Sequence, residues 1–147
     1  MMTTPLATPA ASAPEATEST TILHMIDWEN IPWEPVREGI VRKAFSGNGA
    51  TVALHKLMPK HEPRPHKHAY EQIVYILAGH IRFHVDDKRV VLGPGGLLHI
   101  PPDVMHWGEV VGDEPVLNLD IFTPAREEYA LGPLSRSFCH ATDYKNL

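Results

Sequence analysis

From Ile22 onward, no stretch keeps apolar residues at helical spacing over three turns, and this excludes a helical bundle or a helix-layered sheet. Eight short runs rich in β-branched and aromatic residues take the place of helices, at 40–45, 51–58, 71–77, 80–85, 89–92, 97–100, 106–111 and 116–122. Turn formers bound them: Ser46-Gly47-Asn48-Gly49, Ala78-Gly79, Asp86-Asp87, Gly93-Pro94-Gly95-Gly96, Pro101-Pro102-Asp103 and Gly112-Asp113-Glu114. Strands this short and this regularly spaced predict an all-β sandwich or barrel. Residues 125–129 read as a short helical turn after the last strand, and beyond Gly132 the pattern fades.

The chain divides in two by composition. Residues 1–21 are rich in Thr, Ala and Pro and contain no Lys or Arg, so they match neither a secretory signal nor a mitochondrial presequence. They bury too little to offset the entropy of ordering, which predicts a disordered N-terminal arm. Residues 22–147 form the expected single domain, with a barrel core at about 39–123. No apolar run reaches the roughly 20 residues that span a bilayer. The formal net charge of −5 argues against nonspecific nucleic-acid binding, which needs a clustered basic face. The lone Cys139 makes no intrachain disulfide and no thiolate cage, in keeping with a cytoplasmic protein. Ten histidines are the compositional excess, and they direct attention to a metal.

His66-Lys67-His68 is the informative pair. In an extended chain residues i and i+2 share a face, so both imidazoles point one way and make half of a metal site. Pro63 and Pro65 hold the approach extended. Gln72 follows within an otherwise apolar strand, where a buried amide needs a partner and its carbonyl oxygen is a competent ligand. His106 opens the strand after Pro101-Pro102-Asp103, and a hairpin pairing of strands is expected to set it beside the first cluster. Along 116–122 the residues alternate, with Asn118, Asp120 and Phe122 on one face and Leu117, Leu119 and Ile121 on the other. If the polar face looks inward, Asp120 is a general acid/base in the metal pocket. Arg126, just beyond, is placed to grip a carboxylate with its planar fork. Trp107 is expected to flank the pocket. His84 and His99 are weaker candidates as satellites of the site.

The order His66-x-His68-x3-Gln72-x6-Gly79, then fifteen residues, then Gly95-x5-Pro101-x-Asp103-x2-His106 resembles the two motifs of the cupins. The resemblance implies a small double-stranded β-helix, an antiparallel barrel of jelly-roll type, with one divalent transition metal held by His66, His68, Gln72 and His106. Three positions depart from the family pattern: Lys60 and Asp103 stand where glycine is usual, and Val110 where asparagine is. A fourth departure bears on chemistry, since Gln72 occupies the place of the usual glutamate. Three neutral imidazoles and a neutral amide leave the charge of the ion uncompensated, which favours Lewis-acid over redox chemistry and attracts anions. Zinc, nickel, iron and manganese all suit three nitrogens and one oxygen.

Within the cupins, Gly39-Ile40-Val41-Arg42-Lys43, His68-Ala69-Tyr70-Glu71-Gln72 and the run from Leu119 to Tyr129 resemble the KdgF type, which converts a cyclic 4,5-unsaturated uronate to its linear keto form. That resemblance implies an isomerase of carbohydrate metabolism with Asp120 as proton shuttle, Phe122 lining the pocket and Arg126 binding the substrate carboxylate. Val74 departs from it, standing where a second polar pocket residue is expected. An iron or manganese dioxygenase, a polyketide cyclase with a three-His, one-Gln site, and a non-catalytic ligand-binding cupin are the alternatives. The expected partners are a small anionic substrate and a second copy of the chain in a homodimer.

Overall fold

The computed structural model describes residues 25–130 and 139–140; the expected N-terminal arm lies outside them. Eleven strands and one helical turn follow in order: β1 Met25–Ile26, β2 Glu34–Arg37, β3 Ile40–Ser46, β4 Thr51–Leu57, β5 Glu71–Ala78, β6 Ile81–Val85, β7 Lys88–Leu92, β8 Leu97–Ile100, β9 His106–Val110, β10 Val116–Thr123, α1 Glu127–Ala130 and β11 Cys139–His140. Every run expected from the sequence is a strand, displaced by one residue at some ends. Three strands were not expected. β1 and β11 are two residues each, too short for any periodicity, and β2 contains Pro35. The helical turn lies at 127–130 instead of 125–129.

All pairings are antiparallel. One sheet runs β2-β3-β4-β10-β5-β8, the second runs β7-β6-β9, and β1 pairs with β11. The core lies between the two larger sheets: Ile40, Leu57, Val74, Ile76, Ile100 and Val116 from the first meet Ile81 and Phe83 from the second. Alternation fixes which side chains enter it. In β10 the buried row is Val116, Asn118, Asp120 and Phe122; in β5 it is Gln72, Val74 and Ile76. The β5 row runs from polar Gln72 to apolar Ile76, and in β10 Asn118 and Asp120 lie between Val116 and Phe122, so burial of the apolar members carries the polar side chains inward with them.

Two turns explain how the motif survives without its usual glycines. Lys60 and Asp103 both adopt left-handed backbone, with φ of 63° and 60°. The turns therefore keep a geometry that favours glycine, and Asp103 suits it better than Lys60 does. Gly79, between β5 and β6, cannot be replaced so easily. Its φ is 76°, and a Cβ there would run into Pro115 O and Val116. Between β1 and β2, the segment bearing Trp28 and Trp33 packs on the outer face of β3. Lys43 is buried there, donating to Trp28 O at 2.9 Å with its ammonium 5.0 Å from the centre of the Trp33 ring. Among the described residues no helix is long and apolar enough to cross a membrane.

Candidate metal centre

The Pro-flanked segment 62–68 is laced to the start of β9. His66 and His106 exchange both main-chain hydrogen bonds, at 3.1 and 2.8 Å, and Asp103 N donates to His68 O at 2.8 Å. This isolated bridge, joining segments forty residues apart, replaces the expected hairpin as the device that brings His106 to the pair. The three rings then stand close, with His106 4.4 Å from His66 and 4.9 Å from His68 between centroids. Their nitrogens lie within 4.8 Å of one another. Ligands around one ion stand about 3–4 Å apart, so small side-chain movements bring all three onto it.

Tautomers follow from the main chain. His66 Nδ1 faces Arg64 O at 2.8 Å, His68 Nδ1 faces Tyr70 O at 2.9 Å, and His106 Nδ1 faces Val104 O at 2.8 Å. A carbonyl only accepts, so each Nδ1 carries the proton and each Nε2 presents a lone pair. His106 Nε2 is buried and has no hydrogen-bond partner. Burial is also the chief cause that lowers the His106 pKa to about 4, with the neighbouring His66 and His68 acting in the same direction and the Val104 hydrogen bond and Asp120 opposing. His66 is lowered too, first by burial and further by His68, Arg126 and Arg37. Both rings are thereby kept neutral and ready to coordinate near pH 7.

Gln72 completes the set. Its Nε2 donates to Asp120 Oδ1 at 2.7 Å, which orients Oε1 toward His68 Nε2 at 3.1 Å. With His68 Nδ1 donating to Tyr70 O, its Nε2 and the amide oxygen bring two lone pairs together, an arrangement that a cation between them satisfies. The separation is that of adjacent ligands on one ion, about 3.0–3.4 Å. The donor set therefore fits a transition metal held by His66, His68, His106 and Gln72.

Behind Gln72, Asp120 is buried and also accepts from Asn118 Nδ2 at 3.0 Å. His55 Nδ1 lies 2.8 Å from Asp120 Oδ2, off the line a ring N–H bond requires. His55 was given no role by sequence reasoning; it reaches the site because β4 pairs with β10 in a register that sets it opposite Asn118. The alternation of buried Thr51, Ala53 and Leu57 along β4 is the signal that pointed His55 inward. Val74 is fully buried in the core on the same strand face as Gln72.

His55, His66, Gln72, His106 and Asp120 line a cavity of about 390 Å³, together with Phe122, Arg126 and Tyr129. Phe122 packs edge-on to His68 at 5.6 Å. Arg126 is fixed by Glu128, with Nε donating to Oε1 at 2.7 Å, and it stacks over the rings of Tyr70, Phe122 and Tyr129. Trp107 borders the cavity, but its ring stacks flat on His84 at 4.5 Å, on the strand face opposite His106. His84 is engaged with Glu109 at 2.8 Å, and the exposed His99 with Glu71 at 3.0 Å; neither joins the cluster. His61 is structural, with its two ring nitrogens facing Met58 O and Gly108 O at 3.1 and 3.0 Å.

Residues 53–122 match the cupin domain family. A segment of 69 residues is 36% identical to an uncharacterized HTH-type transcriptional regulator, YobQ of Bacillus subtilis (strain 168), covering 46% of this chain but only 29% of that protein. The fold is similar to KdgF from Halomonas sp., with a TM-score of 0.64 at 23% identity over 70% of this chain and 96% of that one. It is equally similar to an RmlC-like cupin from Shewanella frigidimarina NCIMB 400, with a TM-score of 0.64 at 25% identity over 69% and 91% of the two chains.

Proposed function

We propose that this cupin, resembling KdgF in fold and in its motifs, is a metal-dependent enzyme of the proton-transfer type that acts on an anionic sugar acid. The specific reaction is ring opening and ketonisation of a 4,5-unsaturated uronate. The observation behind this is the double contact of Gln72, whose Oε1 faces the histidine cluster while its Nε2 holds Asp120. The proton-carrying carboxylate is thereby tied to the metal position through one side chain.

When bound to His66, His68, Gln72 and His106, the ion would supply Lewis acidity toward a substrate oxygen. Arg126 binds the carboxylate of the sugar, its charge partly offset by Glu128. Phe122 and Tyr129 wall the pocket and limit water. Asp120 takes the proton from the anomeric hydroxyl as the ring C–O bond breaks, leaving an aldehyde and an enolate. It then delivers that proton to C4 as the enolate becomes a ketone, so no redox partner is needed.

The test is loss of the ultraviolet absorbance of the conjugated double bond when an unsaturated uronate is mixed with metal-loaded protein. Wild type should turn the substrate over, and Asp120→Asn should not, while keeping its metal. Turnover by Asp120→Asn would show that another group moves the proton. No turnover by wild type would remove the uronate assignment. The reading extends to a cytoplasmic homodimer, supported by the exposed apolar side chains Tyr75, Leu77 and Leu97 on β5 and β8.

A further inference from the structure

Three arginines line the cavity, and the reaction above uses one of them. Arg37 ends β2, and Arg64 lies in the segment whose carbonyl orients His66; both border the same space as His66, Gln72 and Arg126. Arg37 reaches it from the end of β2 and Arg64 from the 62–68 segment, whereas Arg126 arrives from beyond the end of β10. Their partners differ as well. Arg126 is held by Glu128, with Nη2 2.6 Å from Oε1. Arg64 has only a loose contact with Glu62 at 3.4 Å, both side chains being well exposed, and such a pair holds little charge in place. Arg37 has a buried Nε with no hydrogen-bond partner.

The two charges also bear on one another. Burial lowers the Arg37 pKa first, the charge of Arg64 adds to this, and Glu62 opposes it. Like charges brought together at a cavity wall are costly unless an anion lies between them. Among the described residues lining the cavity, Asp120 is the one acid, and its oxygens already face Gln72, Asn118 and His55. Among the described residues the exposed Glu62 is the only acid that bears on Arg37 and Arg64, which leaves both open to an anion entering the cavity. A chain with a net charge of −5 that turns three arginines toward one cavity is selective about where it is positive.

We infer that Arg37 and Arg64 form a second anion subsite, so that the substrate is a dianion with one carboxylate at Arg126 and another at Arg37 and Arg64. This rests on reading the cavity as a sugar-acid site and narrows that reading to diacids, among them an unsaturated uronate that bears a second carboxylate.

The test is calorimetric titration of zinc-loaded protein with D-glucuronate, a monoanion, and D-glucarate, the corresponding diacid. Wild type should bind glucarate about tenfold or more tightly than glucuronate, the margin that charge-assisted hydrogen bonds provide. In Arg37→Gln/Arg64→Gln the preference should vanish while glucuronate affinity and zinc content are kept. Equal affinities in wild type, or binding of neither acid, would overturn the inference. So would a preference that survives in the double variant, since zinc chelation would then explain it. Equal loss of both ligands would overturn it as well, because the arginines would then only shape the cavity. Uronate turnover separates the two readings: a glucarate preference that depends on the arginines, without turnover, leaves the subsite standing and removes the reaction. Turnover without the preference does the reverse.

Discussion

Acidifying the metal-free protein should unfold it in a way that depends on His106. The ring is buried, and its pKa falls from the ordinary 6.5 to about 4. The unfolded chain binds this proton near pH 6.5 and the folded one does not until about pH 4. Stability is therefore full above pH 6.5, declines as pH falls through the window between the two values, and declines no further below it. Each pH unit of that window is worth about 1.4 kcal/mol, so the total is roughly 3 kcal/mol, of which about 2 kcal/mol is gone by pH 5. Urea unfolding of metal-free protein at pH 7.5 and pH 5 measures it; with a slope of about 2 kcal/mol/M the midpoint should drop by about 1 M from this residue. His106→Gln removes the titrating group, and comparing the two pH-dependent drops cancels the carboxylates common to both proteins. If His106→Gln loses as much between pH 7.5 and pH 5 as wild type does, the buried neutral ring is not what the acid attacks, and the orphan Nε2 has been misjudged.

Other outcomes follow from the same geometry. Adding zinc to metal-free protein at about 100 times its dissociation constant should stabilise the fold by about 2.7 kcal/mol, visible as a rise in Tm that His106→Ala abolishes. Lys60→Gly should stabilise by about 0.5–1 kcal/mol in thermal unfolding, because it relieves a left-handed lysine, whereas Asp103→Gly should change little. Gly79→Ala should cost roughly 2–4 kcal/mol in the same assay, since its Cβ meets Pro115 O and Val116; a neutral result would mean that the β5–β6 turn shifts freely. Light scattering should give the mass of a dimer, and a monomer would remove the role assigned to the apolar face around Tyr75 and Leu97.

Most of the strands were legible because each is a short run rich in β-branched and aromatic residues bounded by turn formers, a signal local to four to eight residues. The same locality explains what was missed. β2 hides behind Pro35, and His55 owes its place to a register with β10, some sixty residues away, that no single strand reveals. Arg37 and Arg64 reach the cavity only once β2 and the Pro-rich segment have folded around it. The placement of Trp107 was within reach: alternation that turns His106 inward turns its neighbour outward, toward His84. His66 and His68 were legible by spacing, but their tautomers were not, because the carbonyls that set them come from loop geometry.

The glutamine at position 72 is explained from two directions. Charge alone says that a neutral ligand leaves the ion more acidic as a Lewis acid. The geometry adds a stronger constraint, since Gln72 Nε2 donates to Asp120 Oδ1 at 2.7 Å and a glutamate has nothing to donate. Glutamate there would set two carboxylates against each other in a buried site, and one would have to take a proton. That proton would settle on Asp120, removing the proposed base, or on residue 72, weakening the proposed ligand. An amide avoids the choice, because its oxygen serves the metal position and its nitrogen keeps Asp120 an acceptor. The departure from the usual cupin glutamate and the buried aspartate are thus one feature. With a carboxylate at 120 in this register, glutamine at 72 supplies both a donor to Asp120 and an oxygen that faces the histidine cluster.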